Sequence, residues 1–314
     1  MQLFSKETHF DFMGVRKIAM TISLILVLGS IISLATRGLN FGLDFSGGTL
    51  IELGYPQAVD LQEVRSALEK GGYSDGIVQH FGTSQDVLIR LAPREGVSNA
   101  DLSSKVMELL KTADSTVEMR RVEFVGPQVG DELRDQGGLA VLYCMICIFI
   151  YIFFRFEWRF AFGSVAALFH DVTITLGVFS VLQLDFDLTV LAACLAVIGY
   201  SLNDTIVVFD RIRENFRKMR KGTPFEITNT ALNQTLSRTT MTSFTTLLVL
   251  IALFLVGGEL IHGFATALII GIVVGTYSSI YIASTFALML GVSKADLMPV
   301  KKEGADIEGE GDLP

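Results

Sequence analysis

An aspartate stands where apolar sequence gives way to charged sequence, in VIGYSLNDTIVVFDRIREN (197–215). Asp204 is still followed by Ile206, Val207, Val208 and Phe209, so it falls inside the apolar run. A second carboxyl, Asp171, follows His170 in the middle of another such run. Arg238 opens a third, ahead of the hydroxyl series Thr239, Thr240, Thr242, Ser243, Thr245 and Thr246. Ionisable side chains at such depth are costly and point to function by default. Burial and a nearby cation pull a carboxyl in opposite directions, so a group between them can take up and release a proton. Two other readings stand beside this one. Asp204 and Arg238 form a static pair that locks two helices, or Asp204 snorkels into the head-group region.

Helical spacing puts Val197, Tyr200, Ser201, Asp204 and Val208 on one face, with Tyr200 and Ser201 placed to hydrogen-bond the Asp204 carboxyl. The adjoining face of Ala192, Ala196, Gly199 and Asn203 is small enough for another helix to approach closely. Asp171 is either a second relay point or an interhelical hydrogen-bonding group. Adjacent helical residues point about 100° apart, so His170 need not work together with it.

These residues need a membrane to sit in, and the composition supplies one. Of 314 residues 50% are hydrophobic and 18% charged, with a mean hydropathy of +0.50. A membrane helix needs about 20 apolar residues. Six candidate spans cover 17–36, 138–155, 160–182, 187–209, 239–257 and 263–290, with 210–238 as a loop. Arg16 and Lys17, then Arg155 and Arg159, then Arg211 to Lys221, then Lys294, Lys301 and Lys302 all fall on one side if the chain alternates. That side is expected to be the cytoplasm, so residues 1–16 and the tail 291–314 are cytoplasmic. Past Pro299 the tail is rich in Glu, Asp and Gly and is expected to be disordered. The first span is read as a retained anchor, without a clear cleavage site after it.

The insert 37–137 then lies outside the cytoplasm. Its pattern reads strand, helix, strand, strand, helix, strand: GTLIELGY, DLQEVRSALEKGG, a GIVQHFG–DVLIRLA hairpin turning at Thr83-Ser84-Gln85, SNADLSSKVMELLKTA capped by Ser98 or Asn99, and STVEMRRVEFVGP. The βαββαβ order is that of the ferredoxin-like unit. The expected fold class is therefore an α-helical polytopic membrane protein with six transmembrane helices and one α+β ferredoxin-like periplasmic domain. In the cytoplasmic loop, T-P-F-E (223–226) is a capping box, and the helix it opens should run into the fifth span.

Several classes are excluded. The net charge of −8 without a basic stripe argues against nucleic acid. Cys144, Cys147 and Cys194 all lie in apolar runs and read as packing residues. No nucleotide loop, metal-ligand set or nucleophile constellation is present, so no cofactor and no enzyme activity are expected. In the last span Gly263, Ala267, Gly271, Gly275, Ser279 and Ala283 recur every fourth residue and read as a close-packing face.

FGLDFSGGTLIEL (41–53) and VIGYSLNDTIVVFDRIREN resemble the SecF family of bacteria, and the resemblance runs from about Gly14 to Leu290. It implies pairing with SecD in a twelve-span unit similar to RND transporters. The unit would work with the SecYEG channel and the SecA motor, with YajC and YidC as further partners, in the inner membrane. It would use the proton-motive force to help draw a translocating polypeptide outward. Asp204 is the position that the family ties to proton passage, Arg238 matches its arginine, and LDFSGGT maps to Leu43–Thr49. Asp44, Gly47 and Gly48 lie in that motif, the glycines as a hinge or tight turn. Two competing functions are half of an RND-type small-molecule or lipid exporter, and a purely structural subunit.

Overall fold

The computed structural model describes residues 8–94, 99–219 and 221–292. Along the chain come α1 (Arg16–Thr36), β1 (Asn40–Phe41), a one-turn α2 (Leu43–Ser46), β2 (Gly48–Gly54), α3 (Leu61–Lys70), β3 (Ile77–Phe81), β4 (Thr83–Leu91), α4 (Asn99–Ala113) and β5 (Glu118–Val125). The long helices follow: α5 (Pro127–Arg155), α6 (Trp158–Leu182), α7 (Leu188–Lys218) after the short β6 (Asp185–Phe186), and α8 (Pro224–Val256). Last come α9 (Glu259–Ser278), a π-helical turn (Ser279–Ala283) and α10 (Ser284–Met289). Six helices, the last being Glu259–Met289 taken together, are long and apolar enough to cross a membrane. The protein is a mostly helical, multi-pass membrane chain.

Strands β2 to β5 form an antiparallel sheet in the order β3-β4-β2-β5. Its strands alternate: Ile51 and Leu53 point inward with Val87, Ile89 and Leu91, and Val64, Leu68, Leu102, Val106 and Leu110 of α3 and α4 close the core over them. The hairpin turns earlier than expected. Gly82 alone separates β3 from β4, its φ of 76° suits glycine, and Thr83–Gln85 already belong to the strand. The Ser98 cap lies outside the described residues, as does the tail from residue 293 onward.

The long helices outrun the apolar segments. Pro127 opens α5 eleven residues ahead of its apolar run (127 against 138), because proline at the first helical turn sacrifices no hydrogen bond. The stretch 210–238 is largely helix, from the end of α7 and the start of α8, and the capping box forms between Thr223 and Glu226. Residues 8–15 lie along this extension of α8. Asn229 and Asn233 both donate to the Phe10 carbonyl, at 3.0 and 2.8 Å, and accept from the backbone of Met13 and Phe10.

Helix packing rests on small residues. A Cβ added at Gly177 would stand 2.9 Å from the Ser30 Cα, so α1 meets α6 almost backbone to backbone. Ser33 lies 2.8 Å from Ser180, which donates in turn to the Gly38 carbonyl. The four-residue stripe of α9 faces α7: a Cβ at Gly271 would meet Val197 and one at Gly275 would meet Ser201. The close-packing expectation for this face holds.

The sheet is fastened to the helical bundle at Asp185. Strand β1 pairs in parallel with β6, and the Asp185 carboxylate takes Asn40 at 2.6 Å and Arg90 of β4 at 3.1 Å. Arg90 also donates to the Phe41 carbonyl at 3.1 Å.

Two outcomes follow from this packing. Gly177→Ala should destabilise the protein by about 1–3 kcal/mol through overpacking, whereas Gly199→Ala, with open space around it, should be near neutral; thermal unfolding in detergent compares them. Asp185→Ala should expose the connection between α1 and β2 to limited proteolysis while leaving the sheet domain itself resistant.

Candidate functional site

Asp204 is 2% exposed, on the face of α7 that meets α8. Ser243 of α8 and Arg238, one turn and a half earlier on that helix, both act on its carboxyl electrostatically. Arg238 is exposed, and among the described residues no direct ion pair joins it to Asp204. One carboxyl oxygen of Asp204 is buried without a hydrogen-bond partner. The expectation for Tyr200 and Ser201 is corrected here. The Tyr200 hydroxyl is buried and unpaired, and Ser201 turns to a different carboxyl. Asn203 is exposed together with Ala192, Ala196 and Gly199, so no part of the described chain covers that small-residue face.

The carboxyl that captures Ser201 is Asp171, which is fully buried. Its Oδ2 accepts from Ser201 of α7 at 2.5 Å and from Ser278 of α9 at 2.7 Å. Its Oδ1 lies 2.8 Å from Nδ1 of His170. The two side chains therefore meet, although their spacing does not require it. An offset of about 100° separates the two Cβ atoms, but the imidazole is long enough to fold back across the helix surface. Gly275 makes room for the cluster, since a Cβ there would lie 3.0 Å from Ser201 and 3.5 Å from the Asp171 carboxyl.

Three consecutive residues of α9 reach three different helices. Thr276 lies 2.7 Å from Ser243 of α8. Tyr277 stacks on His170 of α6 and donates its phenol to the Ala19 carbonyl of α1 at 2.7 Å, while Ser23 of α1 donates to the same phenol at 3.0 Å. Ser278 binds Asp171. The π-helical turn begins at the next residue, a distortion often found at functional sites.

The LDFSGGT segment folds into α2 and the turn into β2. Gly47 and Gly48 have φ of 67° and 124°, and a Cβ on Gly48 would be 2.4 Å from the Leu91 carbonyl oxygen, so glycine is required at both. Asp44 accepts from the backbone N–H of Leu188 at 3.0 Å, and Asp187 accepts from Val190 at 2.9 Å. Both carboxylates cap the start of α7, the helix that carries Asp204. Sequence reasoning missed Asp185, Ser278, Tyr277 and Ser23. The two aspartates in the short loop QLDFD were a legible signal for the first; the hydroxyls of the last span were hidden in its small-residue pattern.

Residues 105–293 match the family described as protein export membrane protein SecD/SecF, C-terminal, and residues 32–59 match its SecD/SecF GG motif. The chain belongs to the SecD/SecF family. It is 56% identical to the protein translocase subunit SecF of Vibrio alginolyticus over 98% of each chain. Against the subunit of the same name from Escherichia coli O157:H7 identity is 46%, over 97% of this chain and 96% of the relative. A crystal structure of SecDF from Thermus thermophilus, a translocon-associated membrane protein, superposes with a TM-score of 0.83 at 36% identity. It covers 92% of this chain, which spans 39% of that longer one. A second SecDF structure, in a super-membrane-facing form, superposes with a TM-score of 0.70.

Within this family member, Asp171 holds α6, α7 and α9 together. Asp171→Leu should cost about 1–3 kcal/mol for each buried donor left unpaired, and Asp171→Asn, which keeps an acceptor, considerably less. Heat-induced aggregation of the purified membrane protein measures both.

Proposed function

We propose that this chain is the SecF subunit of a SecD–SecF complex that uses the proton-motive force to assist Sec-dependent protein translocation across the inner membrane. Its partners in this reading are SecD, the SecYEG channel, SecA, the translocating polypeptide and, at the periphery, YajC and YidC. Both termini are cytoplasmic, and the four-stranded domain is a periplasmic ferredoxin-like unit. Its strand order, β3-β4-β2-β5 with two helices on the sheet, supports that reading. The exposed stripe Ala192, Ala196, Gly199 and Asn203 is the face offered to SecD.

One observation carries the proton reading: the Asp204 carboxyl is buried with one oxygen unpaired, next to a hydroxyl and within the field of a guanidinium that does not contact it. A permanently ionised carboxylate so placed would call for a direct partner. Proton uptake removes the charge and its attraction to Arg238. Proton release restores both. A gradient of roughly 150 mV supplies about 3.5 kcal/mol per proton, enough to move a two-state equilibrium several hundredfold. Asp171 serves as a second relay point, or, given its complete set of hydrogen bonds, as a fixed anchor for the helices that move.

The deciding measurement is proton-gradient-stimulated export of a precursor protein in inverted membrane vesicles. At equal amounts of assembled complex, Asp204→Asn should abolish the stimulation and leave the ATP-driven basal export intact. Full stimulation in the variant would instead support a static role for the Asp204–Arg238 pair.

A further inference from the structure

We propose that the acidic segment EGADIEGEGD (303–312) docks, within the same chain, on the basic end of α7. This contact is separate from the proton step proposed above.

The surface is overloaded with positive charge. From 211 to 221 the sequence holds Arg211, Arg213, Arg217, Lys218 and Lys221 against the single carboxylate Glu214. Glu214 is already shared, between Arg211 at 2.7 Å and Lys218 at 2.5 Å. Arg213 turns away to Glu157, 3.6 Å off. The Lys218 side chain is 71% exposed, and Lys221 is exposed with no ion pair among the described residues. Arg16 adds a further cation beside the start of α8, its guanidinium 4.2 Å above the Phe225 ring.

Lipid head groups are poorly placed to neutralise this surface. The apolar part of α7 ends at Phe209, so Lys218 stands about 14 Å further along the helix. A head-group layer is only about 5–8 Å thick, and screening in physiological salt reaches about 8 Å. The matching anion must therefore come from the aqueous side.

The chain itself supplies one. Glu303, Asp306, Glu308, Glu310 and Asp312 follow one another with no cation between them. The described chain leaves the bundle at this same end, where Val292 is buried in the cluster that also holds Phe216 of α7 and Ile227 of α8. Eleven residues separate Val292 from Glu303, a reach of up to about 36–40 Å. The basic stretch from Arg211 to Lys218 is only about 10 Å long. So short a tether holds the carboxylates near the surface at an effective concentration of about millimolar. The segment has almost no apolar side chains, so charge is what would hold it.

The test uses the full chain in phosphatidylcholine nanodiscs, with the three native cysteines replaced by alanine and a spin label on Ile307→Cys. At about 10 mM salt the label should be motionally restrained, and at about 1 M salt it should be free. Lys218→Glu with Lys221→Glu should lower the docked-to-free ratio about tenfold, as expected for turning two surface attractions into repulsions. Adding Glu308→Lys and Glu310→Lys to that variant should restore the restraint, which a merely misfolded variant would not do. A label that is free in the parent at low salt overturns the contact, as does restraint that survives the Lys218 and Lys221 reversals. Restraint seen only in phosphatidylglycerol nanodiscs would assign the segment to lipid and overturn it as well.

Discussion

The helical bundle is organised around one carboxyl that cannot reach water. Asp171 is enclosed by α6, α7 and α9, and its survival there depends on every lone pair facing them finding a donor. The donors must be aimed at this carboxyl for its burial to be tolerated, which fixes the rotation of each helix about its axis, while Nε2 of His170 stays buried without a partner. Ser201, Ser278 and His170 must all point at one spot. Gly275 and Gly271 let α7 and α9 come close enough for them to do so. The stripe of small residues and the polar cluster are therefore two requirements of one packing arrangement.

Asp204 is the contrasting case. It lies one turn along α7 from Ser201, yet it is left with an unpaired oxygen and an indirect cation. A serine that had turned towards it would have completed its shell. Instead Ser201 is committed to Asp171, and the tension at Asp204 is kept. Two aspartates on neighbouring helices thus have opposite settings, one saturated and one deficient. The difference arises from which hydroxyl each neighbour supplies.

Much of this was legible in the chain. Apolar runs located the long helices, alternation and helical periodicity located the sheet domain, and T-P-F-E announced the start of α8. Helix ends were less legible, because hydropathy marks where lipid begins and says nothing of where hydrogen bonding stops; α5 and α7 continue well past their apolar parts. The partners of Asp204 were misassigned for a related reason. Residues on one helical face can touch one another, but neighbouring helices compete for the same hydroxyls, and that competition depends on packing at distances the periodicity does not encode. Asp185 shows the same limit, since its donors Asn40 and Arg90 are separated from it by 145 and 95 residues.

The asparagine clasp on residues 8–15 gives the first helix an unusual mechanical status. One end of α1 is tied to α8 through Asn229 and Asn233, and the other is tied through β1 and Asp185 to the sheet and the start of α7. A helix anchored at one end dissipates a push by swinging. One held at both ends behaves as a connecting rod, which transmits a displacement along its length or turns about its own axis. The serines that line its contact with α6, and the glycine opposite them, provide a smooth track for that motion.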